Sequence, residues 1–348
     1  MKILHREFFP TTTPSVHAST ICFWKDHMVS AWFGGTREGN PDTAIYLHNL
    51  NNDGEVITIG TKDSIPRWNP ILVPIGKKLY LFTKAGIFCD RWQSFIHDIT
   101  DWTNDIPEKE IFATARVLPA GLNGPVKSKP LIVGQEGTPR VMYCGSSVET
   151  IFDWTSYVEE YTVRKDDTFY FFDRSGPLNV EKKVNYTNPV NGRSERSLGI
   201  IQPTLWNDNG NIRMFFRSSR GLEKIYYSEN WLGTWLVPKP TNLPNPNSAV
   251  DVVCMNDRLF LVHNPSNLHR YPLVVSEIKM THNDHSYKDE GSVDLETIDE
   301  IEVTKEIPEN ISCNSYELSY PYMVGQDGKL HLSYTYGRSK IEYITIEV

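Results

Sequence analysis

Residues 19–35, STICFWKDHMVSAWFGG, decide how this chain is read. Two apolar runs rich in β-branched and aromatic residues flank a short polar turn at Lys25-Asp26, the pattern of antiparallel strands joined in a hairpin. The pattern returns in PILVPIGKKLYLFTKAG (70–86), PLIVGQEGTPRVMYCGSS (130–147), PTLWNDNGNIRMFFRSS (203–219), VDVVCMNDRLFLVHN (250–264) and PYMVGQDGKLHLSYTYG (321–337). With turns near Asp26, Lys77, Gly137, Asn209, Asp257 and Asp327, the spacings are 51, 60, 72, 48 and 70 residues. Each interval leaves room for about two more strands, so the repeating unit is a four-stranded blade. Long helical patterns are missing. The expected fold class is all-β, a six-bladed β-propeller in a single domain over residues 1–348. The C-terminal KIEYITIEV is expected to close the ring by joining the first or the last blade.

The residue that opens each hairpin carries the functional signal. In four of the six it precedes proline: Asn69-Pro70, Lys129-Pro130, Gln202-Pro203 and Tyr320-Pro321. Proline at the first residue of a strand fits an edge strand, and the innermost strand of a blade is an edge that lines the central channel. Aligning the other two hairpins on their turns sets His17 or Ala18, and Asp251 or its neighbour, at the same level. Polar side chains are therefore expected to ring one mouth of the channel. The returning strands bring Arg37, Glu38, Lys84, Ser146, Arg217, Asn264 and Tyr336 to the same face. Cations gathered there point to an anionic ligand, most simply a carboxylate, which a guanidinium holds with two parallel hydrogen bonds.

Composition narrows the function. A net charge of −8 argues against nucleic-acid and anionic-membrane partners, both of which need a basic surface. Cys22, Cys89, Cys144, Cys254 and Cys313 are scattered without a CxxC pair and are expected to be buried, reduced thiols. Residues 1–20 lack a basic-then-apolar leader, and no apolar run approaches the roughly 20 residues that span a bilayer. A cytoplasmic protein is expected, or a secreted one if an export signal has been removed. His97, His263, His269, His282 and His285 form no metal-ligand spacing, and no glycine-rich phosphate loop opens a helix, so neither a metal nor a nucleotide cofactor is expected. DWTNDIPEKE (101–110) and THNDHSYKDEGS (281–292) read as polar loops.

Six pieces, HASTICFW…VSAWFGGTREGNPDTAIYL, GPVKSKP, IIQPTL, FFRSS, PNPNSAVDVV and ELSYPYMV…DGKLHLSYTYGRSKIEYI, together resemble the sialidase-like BNR-repeat family of predicted neuraminidases, from about residue 15 to the C-terminus. The resemblance implies a propeller of the sialidase type. The family's Asp-box is similar to SENWLGTW (228–235), with Asn230 where aspartate is usual. By resemblance Arg217 and Arg270 correspond to two of the three arginines that hold a sialic-acid carboxylate, His17 stands where the first would be, and Tyr320 is the counterpart of the nucleophile, with Tyr316 beside Glu317 as a competitor. Glu38 or Asp42, in REGNPD, represents the acid/base loop. The glutamate that pairs with the tyrosine has no carboxylate counterpart, only Ile200 and Gln202.

The resemblance implies a sialidase-like exo-glycoside hydrolase acting on a terminal acidic sugar. Its catalytic candidates are His17, Glu38, Asp42 and Tyr320; Arg37, Asn69, Lys84, Lys129, Gln202, Arg217, Asp251 and Arg270 are candidates for substrate binding. A retaining route needs Tyr320 as nucleophile and something to take its proton. An inverting route, with Glu38 or Asp42 activating water, avoids that need. A polysaccharide lyase would instead use His17 as base beside the uronate carboxylate and Tyr320 as acid. A glycan-binding propeller without catalysis would use the same arginines.

Overall fold

The six hairpins become the inner halves of six blades in the computed structural model, which describes residues 1–50, 56–60, 63–102, 115–189, 191–281, 291–303 and 316–348. Their innermost strands are Ser15–Trp24, Arg67–Ile75, Leu131–Val133, Ile200–Asp208, Asp251–Met255 and Leu318–Gln326. Each is followed by antiparallel partners in chain order, so every blade is an up-and-down sheet. Most of DWTNDIPEKE and of THNDHSYKDEGS, including His282 and His285, lies outside the described residues, as does Cys313. Among the described residues no helix is long and apolar enough to cross a membrane.

Apolar side chains fill the spaces between neighbouring blades. Trp206 and Phe215 of the fourth pack with Val252 and Leu261 of the fifth, and Val253 and Phe260 of the fifth with Met323 and Leu332 of the sixth. The SENWLGTW segment pins the outer part of the fourth blade: Asn230 Oδ1 accepts from Gly233 N at 2.9 Å, Ser228 Oγ donates to Leu236 O at 2.6 Å, and Trp235 is buried. Thiol burial is mixed. Cys22 and Cys144 are buried, whereas Cys254 is exposed and Cys89 is partly so, which corrects the expectation of uniformly buried thiols.

Ring closure differs in one strand from the expectation. Lys340–Glu347 does join the last blade, but as its third strand; the fourth and outermost is the N-terminal strand Lys2–Phe8. Arg6 fastens this strand by donating to Glu342 Oε1 at 2.7 Å and to Val303 O at 2.5 Å, while the Met1 ammonium meets Asp299 at 2.6 Å. Glu342 is 1% exposed, so removing its cation leaves a buried charge short of a partner. Arg6→Ala is expected to destabilise the fold by about 1–3 kcal/mol in urea unfolding; a loss under about 0.5 kcal/mol would mean that closure does not depend on this pair.

Candidate active site

Four inner strands break register at the same level, between His17 and Thr20, Trp68 and Ile71, Ile201 and Thr204, and Ser319 and Tyr322. At each break one non-glycine residue has left-handed backbone: Ala18 (φ 52°), Asn69 (39°), Gln202 (55°) and Tyr320 (51°). Such residues cost on the order of 1–3 kcal/mol each and persist where the surrounding fold imposes them. The kink re-aims these side chains at the channel mouth, as bulges beside functional sites do. It also fixes the alignment that the turns left open. Ala18, not His17, is the counterpart of Asn69, Gln202 and Tyr320, while Lys129 and Asp251 carry no such kink.

Tyr320 is the centre of the constellation. Its hydroxyl oxygen accepts from Arg217 Nη1 and from Gln202 Nε2, both at 3.1 Å. Arg217 also donates to Gln202 Oε1 at 3.1 Å and to Asn247 Oδ1 at 2.9 Å, and its guanidinium carbon lies 5.4 Å from the centre of the Trp154 ring. Asn247 couples the arginines, since its backbone oxygen accepts from Arg270 Nη2 at 2.7 Å. Arg270 Nη1 reaches Glu317 Oε1 at 2.7 Å, and Arg338 Nε reaches Glu317 Oε2 at 3.0 Å. Arg338 also pairs with Glu38. Burial works to raise the Glu317 pKa, but Arg270, with Arg338, holds it far below the usual carboxylate range.

The remaining sequence candidates separate. His17 is 1% exposed, its ring 4.0 Å from that of Tyr320 and edge-on to Phe33 at 5.6 Å. Burial first, then the Arg338 charge, depresses its pKa well below the ordinary imidazole value, so it is a neutral support behind Tyr320. Asp42 closes its own loop, accepting from Thr36 N at 2.8 Å and Thr36 Oγ1 at 3.0 Å. Glu38 and Arg37 are exposed on that loop, which folds over Trp68; a Cβ at Gly39 (φ 82°) would stand 3.2 Å from the Trp68 ring. Asn69 is buried at its kink. Tyr316 is buried between Tyr271 and Tyr336 and makes no hydrogen bond to the cluster, which leaves Tyr320 as the tyrosine at the mouth.

Two proposed binding residues are corrected. Lys84 is fully buried and turned between the second and third blades, where it donates to Pro125 O at 2.5 Å; burial lowers its pKa to about 7. Ser146 turns the same way, to Glu159 at 2.7 Å. Asp251 is fully buried and accepts from Lys129 Nζ at 2.8 Å, Thr204 Oγ1 at 2.6 Å and Met323 N at 2.8 Å. It ties four blades together inside the channel and has no oxygen to spare for a ligand. Lys127, from GPVKSKP, joins this group by donating to Pro321 O, and burial lowers its pKa to about 8 against the pull of Asp251.

The sequence reading missed Arg338, Asn247, Glu149 and Trp154. Arg338 had a signal: Gly337 (φ 56°) and Arg338 (φ 60°) form a tight hairpin turn between two strands that were recognisable, and the turn projects the arginine over Glu317.

A six-bladed ring, five of its sheets four-stranded and one five-stranded, with an arginine-rich mouth defines a sialidase-like β-propeller. The chain belongs to the family of BNR repeat-like domains, whose model matches residues 26–332. No curated protein sequence matches it significantly. Among solved structures it is similar over its whole length to a protein of unknown function from Dyadobacter fermentans (10% identity, TM-score 0.66, 99% of that chain). A Trypanosoma rangeli sialidase in complex with the inhibitor DANA matches 96% of the chain at 13% identity and TM-score 0.54, and the match spans 55% of the sialidase. A Penicillium chrysogenum alpha-L-arabinanase matches 98% at 8% identity and TM-score 0.50, over 95% of its own chain. At these identities the likeness speaks to the fold.

Proposed function

We propose that the protein is a sialidase-like exo-glycoside hydrolase that removes a terminal acidic sugar, with the sugar carboxylate bound at Arg217. One observation carries this reading. Arg217 is 6% exposed, yet among the described residues it has no carboxylate bonded to it, whereas Arg270 and Arg338 share Glu317 and Arg338 also holds Glu38. Its hydrogen bonds go to neutral oxygens, and the Glu149 carboxyl in its field makes no ion pair with it, so an incoming carboxylate can form the paired, charge-assisted hydrogen bonds that Arg217 lacks. Arg270 and Arg338 orient the wall behind it through Asn247 and Glu317.

The neighbours of Tyr320 favour water over tyrosine as the nucleophile. Gln202 donates its amide to the Tyr320 oxygen and cannot take the phenol proton. Glu38, ion-paired with Arg338 and open to solvent at the rim, is placed to take a proton from water. Direct displacement by water inverts the anomeric centre. An elimination with His17 as base is disfavoured, because the imidazole is enclosed behind the Tyr320 ring.

The test is turnover of 4-methylumbelliferyl glycosides of N-acetylneuraminic, glucuronic and galacturonic acids beside neutral glycosides, with the first-formed anomer read by NMR. Hydrolysis confined to acidic sugars, with inversion, is expected. Arg217→Ala should weaken binding of the acidic sugar by about 1.5–3 kcal/mol, the size of a hydrogen bond to a charged group. Lysine should not restore it, since it lacks the fork. Equal turnover of neutral sugars, or release of a product absorbing as an unsaturated uronate from a uronate-containing polysaccharide, would reject the reading; glycan binding without turnover would favour a non-catalytic propeller.

A further inference from the structure

We propose that Glu149 is the general acid that protonates the departing glycosidic oxygen, an inference that rests on the hydrolase reading above. Glu149 ends the strand Arg140–Glu149 and stands opposite Trp154 in antiparallel register. Directly opposed residues project to the same side of a sheet, and the Trp154 ring on that side is the one 5.4 Å from the Arg217 guanidinium. Glu149 therefore lies on the Arg217 side of the third blade, while Glu38 reaches the same cluster from the first blade through Arg338. The Cys89 thiol, on the turn Cys89–Arg91 of the second blade, lies in the field of both carboxyls: burial pushes its pKa up to about 12, with Glu149 and then Glu38 adding to the rise.

The two carboxyls differ in the way an acid and base pair requires. Glu38 is ion-paired with Arg338, whereas Glu149 has no ion pair among the described residues. Burial raises the Glu149 pKa, Arg217 and the Gln202 amide oppose this, and the Glu38 charge adds to the rise. Asp42 is occupied by Thr36 and Glu317 by Arg270 and Arg338, so among the carboxyls named in this cluster Glu149 is the one left to donate. In the displacement, the water oxygen bonds to the anomeric carbon and its proton passes to the Glu38 carboxylate. The bond from that carbon to the glycosidic oxygen breaks, its electron pair stays on the oxygen, and the oxygen takes the Glu149 proton. Proton exchange with solvent resets both groups.

The contrast between good and poor leaving groups tests the role. Full-length Glu149→Gln is compared with wild type on the methyl and the 2,4-dinitrophenyl glycosides of whichever acidic sugar the wild type hydrolyses. The methyl glycoside needs a proton to leave and should lose about 10²–10⁴-fold in kcat. The dinitrophenyl glycoside needs none and should lose less than about tenfold, with KM little changed in both. Glu149→Ala provides the same contrast if the glutamine variant does not fold. An equal loss on both substrates would mark a structural role and overturn the proposal, as would no loss on the methyl glycoside. Wild type that hydrolyses no acidic glycoside would remove the hydrolase reading and this proposal together, an outcome visible before any variant is made.

Discussion

Replacing Asp251 by asparagine is expected to lower the unfolding free energy by about 3–5 kcal/mol, the usual cost of removing one partner from a buried charge cluster. Asp251 has no exposed surface and receives Lys129, Thr204 and the Met323 amide, while Lys127 lies in the same field. An amide there would leave two lysines close together without their counter-charge and would set an N–H against inward-pointing donors. Urea unfolding with an unchanged slope against denaturant is the measurement, and a loss under about 1 kcal/mol would show that the cluster does not hold the ring. Lys127→Met in the asparagine background should recover part of the loss, because it removes the more buried uncompensated charge. The pH dependence has a definite sign. Burial tends to raise the Asp251 pKa, but Lys129 and Lys127 hold it below its ordinary value. Its contribution is therefore present above the unfolded carboxyl pKa of about 3.9 and is lost as pH falls through the lower folded value. In that acid range the difference between wild type and Asp251→Asn should shrink.

Glu38→Gln should lower kcat by about 10²–10⁴-fold on methyl and dinitrophenyl glycosides alike, because water must lose a proton whichever group departs. That uniform loss is the opposite of the pattern expected at Glu149, so the pair of variants separates base from acid without a ligand-bound structure. Glutamine also loses the ion pair with Arg338, which sits at the rim with Glu38 half exposed, so the stability change should stay within about 1 kcal/mol. Tyr320→Phe keeps the ring against His17 and removes only the oxygen that Arg217 and Gln202 address. With water as the nucleophile, this variant should retain turnover, and a fluorinated acidic-sugar reagent should leave no adduct on Tyr320 in the wild type. A covalent adduct at Tyr320, or a retained anomeric centre, would sink direct displacement and make Tyr320 the nucleophile.

Hydrogen bonding explains why the ring itself was legible in the chain. Each hairpin is a local event, two apolar runs across a short turn, and six repeats of a local event leave few ways to bury all the faces. The X-Pro pairs at Asn69, Gln202 and Tyr320 were visible for the same reason, and all three lie at kinks in the innermost strands. The C-terminal strand was legible as joining the first or the last blade; the N-terminal strand that completes the last blade was not, because it finds Lys340–Glu347 across almost the whole chain and a strand of that length fits more than one edge.

The sequence by itself determined the strand content, the six-fold repeat, and the presence of Arg217, Arg270 and Tyr320 at one end of the channel. Tertiary structure alone decided which charges are taken up within the fold and which remain at the channel mouth. Lys84 and Ser146 occupy returning-strand positions much like that of Arg217, and Asp251 opens an inner strand, yet Pro125, Glu159 and Lys129 claim them. His17 and Ala18 are adjacent in the chain, and a single left-handed residue decides which one meets the channel. Arg338 and Glu38 are paired across 300 positions, and Glu149 gains its place from its register with Trp154. A residue's type states what it can bond to; which partner reaches it first depends on how six sheets pack about one axis, because a buried polar group is taken by whatever satisfies it within hydrogen-bond distance.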